Sequence, residues 1–123
     1  MKRDMNLIRA IALATAELPS DQPLRELPGI DQPTFAAHAQ WMHEAGLVHA
    51  ALSPKDSLRP ANMALVYRLT WQGCEFADAA KNDTLWAKAM TSVIKPSASW
   101  TFSILTDWLK AEITRSIGIQ LGS

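Results

Sequence analysis

Hydrophobic residues recur at helical spacing over most of this chain, and a short central region carries the marks of strands. Met5, Ile8, Ile11, Ala12 and Thr15 share one face of a helix expected from about Asp4 to Leu18. Asp4 is its cap and Pro19 its end. Leu24 to Leu27 fits either one short helical turn or an edge strand that pairs with a later hairpin, and Pro28-Gly29 stops it in both cases. Phe35, Ala39, Met42 and Gly46 then repeat every three to four residues. They predict a second helix with Asp31 as its cap, Pro33 in its first turn, Gly46 as its left-handed end and Leu47 packed back beneath it. Val48 to Leu52 and Ala64 to Leu69 are strand candidates around a Pro- and Ser-containing loop, 53–62. Thr70 opens a helix expected over Trp71 to Ala80. Lys81-Asn-Asp83 is a break, with Asp83 expected to cap a stretch through Ile94. A loop at Lys95 to Ser99 precedes a last helix over about 99–117, whose wide apolar stripe includes Trp100, Ile104, Leu105, Trp108 and Leu109, with Gly118 at its end.

Helix, tight exit, strand, loop, strand and capped return helix is the order in which a winged helix-turn-helix is written. The reading is therefore a single α+β domain over 1–123, mostly helical: a winged helix-turn-helix core over 1–95 with a small β-hairpin wing, and an extra C-terminal helix over 99–117. The supporting helix of that fold would sit near Leu24 to Leu27, where it looks shortened or replaced.

Charge changes this picture most. Lys+Arg and Asp+Glu number 12 each, whereas a nucleic-acid module commonly carries a basic excess, because neutralising phosphates supplies most of its non-specific affinity. Any basic surface here must be local. Cys74 is the only cysteine, so no intrachain disulfide is possible, and it reads as a small buried residue in a reducing cytosol. No secretory signal and no apolar run of about 20 residues is present, which leads to the expectation of a cytoplasmic protein without a membrane anchor.

Four blocks bear a further resemblance: Met1 to Arg9, His38 with Glu44-Ala-Gly-Leu47, Leu69-Thr-Trp-Gln-Gly73 with Phe76, and Asp83-Thr-Leu-Trp86. Together they resemble an uncharacterised bacterial and prophage family, a domain of unknown function (DUF2513). The middle two are also similar to the broad winged-helix regulator class. The resemblance implies a winged-helix fold and a phage or prophage setting, and it carries no catalytic or binding residues with it. Unlike typical DNA-binding winged helices, this chain has no Lys or Arg between Asp31 and Val48.

The leading functional expectation is a non-enzymatic DNA-binding regulator. By helical phase Thr34, Ala37 and Gln40 point away from the core residues of the second helix, with His43 to one side, and amides and hydroxyls there suit base edges. Lys2 and Arg3 at the N-terminus and Lys55 and Arg59 in the wing are the phosphate-contact candidates. The alternative is a protein-interaction module, such as an inhibitor of a host or defence protein, since winged helices also bind proteins. Basic residues clustered on the face that exposes Gln40, with Arg68 among them, would favour DNA. Glu44 or Asp56 breaking up that face would favour a protein partner. A solvated face of small residues is the bland reading of the same helix.

No metal or cofactor is expected. His38 and His43 stand about 140° apart on a helix rather than on one face, His49 lies beyond, and no cysteine completes a set. His38 reads as a packed residue at the core border. No phosphate loop, nucleophile elbow or triad pattern appears, so an enzyme is not expected. Trp100, Ile104 and Trp108 form a stripe that either closes the domain or serves as a homodimer interface.

Overall fold

In the computed structural model the described residues are 1–19, 21–55, 58–96 and 100–122, the last five by backbone alone. The protein is α+β and mostly helical, with five helices and a two-stranded antiparallel hairpin among the described residues. Contacts divide it into two compact units, Met1–Ala77 and Asp78–Ser123.

The first unit begins with α1 (Met5–Ala16), where Asp4 Oδ1 accepts the N–H groups of Asn6 at 3.0 Å and Leu7 at 3.3 Å. Capping removes two of the four orphan donors at a helix start. Ile8, Ile11 and Ala12 are fully buried on one face of α1, as their spacing predicts. Leu24 then makes an antiparallel bridge to Val66, with N–H···O distances of 2.8 and 2.9 Å. Of the two readings of this segment, the edge strand is the one adopted.

Helix α2 (Gln32–Glu44) is capped by Asp31, whose Oδ2 accepts the Thr34 N–H at 3.2 Å. The Thr34 hydroxyl and then its N–H hold the Asp31 carboxyl below the usual carboxylate value. Helix α2 ends in a reciprocal pair of hydrogen bonds, Gly46 N–H to the His43 carbonyl at 3.1 Å and Leu47 N–H to the Met42 carbonyl at 2.9 Å. The pair requires the left-handed backbone of Gly46, φ +77°.

Strands β1 (Val48–Ser53) and β2 (Met63–Leu69) pair from Val48↔Leu69 to Ser53↔Met63. The register skips Tyr67, which makes it a bulge residue opposite the His49/Ala50 step. Ala64, Val66 and Leu69 are buried, while Met63, Tyr67 and Arg68 are exposed.

Helix α3 (Trp71–Ala80) starts at a joint made by Thr70. Its N–H donates to the Leu47 carbonyl at 2.9 Å, its hydroxyl donates to the Gly46 carbonyl at 2.6 Å, and the same oxygen accepts the Gly73 N–H at 3.0 Å. A Cβ on Gly73 would overlap the Leu47 carbonyl oxygen and lie 3.0 Å from its carbon. The Ala45-Gly-Leu47 turn and the Leu69-Thr-x-x-Gly73 start are thus two halves of one contact.

In the second unit α4 (Asp83–Ala89) is capped by Asn82, whose Oδ1 accepts the Leu85 N–H at 2.9 Å. Asp83, expected as the cap, is instead the first helical residue. Both types cap well, so local preference does not fix the start to one residue. The expected run to Ile94 widens at its end into a π turn, Met90–Ile94, closed by Lys95 N–H to the Met90 carbonyl at 3.0 Å. Helix α5 (Phe102–Gly122) starts at Thr101, whose hydroxyl accepts the Ile104 N–H at 3.2 Å, and continues past the end expected at Gly118. Ser99, expected as its first residue, lies outside the described residues. Helix α4 packs on α5, burying Trp86, Ala89, Leu105 and Leu109, and Glu112 of α5 accepts from Lys88 of α4 at 2.9 Å. The contacts divide between Ala77 and Asp78, inside α3.

Candidate functional site

The middle of α2 is buried on every side: Phe35, Ala36, Ala37, His38 and Ala39 are all buried. Core packing accounts for Phe35 and Ala39. Ala37, expected on the outward face, is only 7% exposed, because the wing returns across that face. Gln40 Oε1 accepts the Ala61 N–H at 2.8 Å, which ties the wing to the helix. Ala37, Gln40, Trp41 and Glu44 thereby face Leu58 and Arg59 across a cleft of about 180 Å³. Of the four expected base-reading positions, Ala37 is thereby covered rather than outward, and Gln40 holds the wing with its side-chain oxygen. Thr34 is half-buried, with its N–H on Asp31. His43 is exposed, with Nδ1 3.3 Å from the Val48 carbonyl.

His38 is buried, as expected for a core-border residue. Its Nδ1 lies 2.8 Å from the Thr34 carbonyl, and its Nε2 accepts the Asp4 N–H at 2.9 Å. That pair of partners sets the neutral tautomer with the proton on Nδ1. The ring also meets Trp41 edge-on, centroids 5.0 Å apart. With both nitrogens engaged His38 has no lone pair for a metal, and among the described residues no three His, Cys, Asp or Glu side chains converge. The Asp4 contact also fixes where Lys2 and Arg3, both exposed, leave α1 beside α2.

Lys55 and Arg59 are exposed in the wing. The structure brings Arg59 and Gln40 to the same cleft, and it places Glu44 there as well. Asp56 lies outside the described residues. Cys74, expected to be buried, is exposed, because it follows Gly73 on the side of α3 away from the Leu47 joint. Of the stripe proposed for a dimer, Ile104 is 51% exposed, while Trp100 and Trp108 are half-buried. Trp100 meets the Phe102 ring edge-on at 5.7 Å. The second unit also carries an open groove of about 710 Å³ whose lining includes Asp78, Lys81, Thr84, Leu85, Ile113 and Ile117.

The residues that the sequence reading missed are apolar. Leu58 is 90% exposed, Met63 61%, Tyr67 49% and Trp71 80%. Met63 and Tyr67 belong to the outer face of β2, and Trp71 is the first residue of α3, its indole N–H donating to Glu75 at 2.9 Å. The signal available in the sequence was the alternation of β2, which sends Met63 and Leu65 opposite to Ala64 and Val66.

Fold and surface together define an α+β protein with a capped helix–hairpin core and no helix, among the described residues, long and apolar enough to cross a membrane. The chain belongs to the family described as "Hypothetical protein (DUF2513)", which matches residues 2–99 and so leaves α5 outside the match. A Haemophilus influenzae protein described as uncharacterized is 37% identical over 98 residues, covering 76% of this chain and 79% of the relative. No solved structure matches.

Proposed function

We propose that this protein is a non-enzymatic protein-interaction module on a winged-helix framework, acting in the prophage setting that its family resemblance implies. The framework reading rests on element order: α1, the Leu24 bridge, α2, β1, wing and β2, with β2 central between Leu24 and β1. A turn at Pro28-Gly29 stands where a supporting helix would be. One observation carries the functional reading: among the described residues before residue 78, four of the five exposed large apolar side chains fall between Leu58 and Trp71. Exposed aromatics held in place are the usual anchors of protein interfaces. The outward face of α2 is meanwhile closed by the wing and bordered by Glu44.

DNA binding is the second reading, favoured by the exposed Lys2, Arg3, Lys55 and Arg59. One experiment separates the two. Tagged wild type, Tyr67→Ala/Trp71→Ala and Arg59→Ala are used for quantitative capture from a lysate of the source bacterium. Gel shifts on genomic fragments at low salt run in parallel. The protein-interaction reading expects a partner that the double variant loses, by roughly 30-fold or more in affinity for a hot-spot pair, and that Arg59→Ala retains. A DNA shift that weakens steeply with salt and with Arg59→Ala overturns it in favour of the second reading.

A further inference from the structure

We propose that His38 is a proton switch for the N-terminal segment: a proton taken up at its Nε2 breaks the contact with Asp4 and releases residues 1–4, with Lys2 and Arg3, from α2. The contact has one workable polarity. A backbone N–H can only donate, so the Nε2 that stands 2.9 Å from the Asp4 nitrogen is the bare, accepting nitrogen. The ring's one proton then sits on Nδ1, 2.8 Å from the Thr34 carbonyl a turn earlier in α2. A second proton, taken from solvent, turns Nε2 into a donor facing another donor. The Nδ1 bond survives, because that nitrogen donates in both states. One end of the ring is therefore indifferent to the proton, and the other loses its partner. His38 is 1% exposed, so an imidazolium held there is cut off from bulk water, and a buried charge without an acceptor is strongly disfavoured. Asp4 is exposed, so the contact opens on the side that faces solvent.

The charges around the ring decide how it opens. From the start of α1 it meets Asp4, whose Oδ1 already accepts the Asn6 and Leu7 N–H groups. Turning that carboxylate to an imidazolium would give up both capping bonds, whereas release of the segment leaves them in place. Lys2 and Arg3 adjoin the contact in sequence and carry the sign that repels an imidazolium. Within α1 the ionisable residue is Arg9, which is half-buried. Helix α2 carries His43 and Glu44, both exposed and more than a turn from His38, with Asp31 at its cap. Strands β1 and β2, which also pack on α2, carry His49, Tyr67 and Arg68, all at exposed positions. Trp41, which meets the ring edge-on, is uncharged. The device turns a fall in pH into the freeing of a basic segment, and it is independent of which partner the protein binds.

Amide exchange measured by NMR on the full chain tests the switch, from about pH 8 to about pH 5, the range in which imidazole titrates. Rates are taken relative to an unstructured peptide at the same pH, which removes the intrinsic pH dependence of exchange. Protection of the Asp4 amide should fall by up to about tenfold per pH unit, the limit for linkage to one proton, following the titration of the His38 ring resonances. The order parameters of Lys2 and Arg3 should drop into the flexible range, below about 0.6. The Val66 amide, bonded to the Leu24 carbonyl at 2.9 Å in the same unit, should keep its protection. His38→Gln offers a side-chain carbonyl that accepts without titrating, so Asp4 protection should become flat with pH. Asp4→Asn keeps a good cap and the backbone N–H, so the loss at position 4 should persist. The proposal is overturned by Asp4 protection that ignores the ring titration, by a pH response that survives in His38→Gln, or by one that vanishes in Asp4→Asn. Parallel loss at Val66 also overturns it, because the unit as a whole would then be unfolding.

Discussion

Gly73→Ala tests the joint between the α2 exit and the α3 start, because two effects predict opposite signs. Gly73 lies in the first turn of a helix, and replacing Gly by Ala in a helix stabilises by roughly 0.5–1 kcal/mol if nothing is in the way. Here the new Cβ overlaps the Leu47 carbonyl oxygen, comes to 3.0 Å from that carbonyl carbon, and reaches 3.2 Å from Leu69 Cβ. Two of these neighbours are backbone, which cannot rotate aside. Overpacking of this kind costs about 1–3 kcal/mol. Moving the carbonyl also strains its bond to the Thr70 N–H and the neighbouring Thr70 hydroxyl bond to Gly46, each worth about 0.5–1.5 kcal/mol. The net expectation is a loss of about 2–4 kcal/mol, or roughly 8–16 °C in melting temperature at about 4 °C per kcal/mol for a chain of this size. Gly29→Ala is the control: its φ is +79° but no atom lies within 4 Å, so it costs only the left-handed penalty of about 1–2 kcal/mol. Thermal and urea unfolding followed by circular dichroism measure both. A Gly73→Ala protein as stable as wild type, or more stable, refutes the reasoning.

His38→Leu keeps the volume but leaves the Asp4 N–H without its acceptor, so stability should fall by about 1–3 kcal/mol, and hydrogen exchange at the Asp4 amide should accelerate. The Lys88 ammonium, and then Arg115, hold the Glu112 carboxyl below its ordinary value of 4.5. Its contribution is present above that pH and is lost as the pH falls through the lower folded value. Between pH 7 and pH 3, wild type should therefore lose more stability in denaturant titrations than Glu112→Gln does. Trp71→Ala removes a side chain that is 80% exposed, so its melting temperature should stay within about 2 °C of wild type, consistent with the ±0.5 kcal/mol typical of surface changes. A larger fall would assign Trp71 to the fold rather than to a surface.

The parts of the fold that were legible in the sequence are those decided within one helical turn. Asp4, Asp31, Gly46 and Thr70 each act on groups a few residues away, and each does what its type and spacing imply. The outward face of α2 was misread because helical phase describes one helix and its first layer of contacts. Ala37 and Gln40 do face away from Phe35 and Met42, but the wing arrives from twenty-one residues downstream of Gln40 to cover them. No local pattern encodes such a return. Cys74 was misread for a related reason: a small apolar type suggests burial, but α3 turns Gly73 to the joint and the next residue away from it. The exposure of Leu58, Met63, Tyr67 and Trp71 was hidden in the same way, since composition does not say which apolar side chain the fold leaves uncovered.

The Tyr67 bulge gives the hairpin one residue more than its pairing uses. Val48↔Leu69, His49↔Arg68 and Ala50↔Val66 are the flanking pairs, and none of them involves Tyr67. In a regular ladder an inserted or deleted residue throws every later side chain to the opposite face. At position 67 a deletion instead closes the ladder up and keeps Leu69 inward and Thr70 at its joint. It is therefore the place in β2 where chain length can vary without a shift in register, and where evolution or an engineer can take away an aromatic side chain, backbone included, while the scaffold beneath it stays in phase.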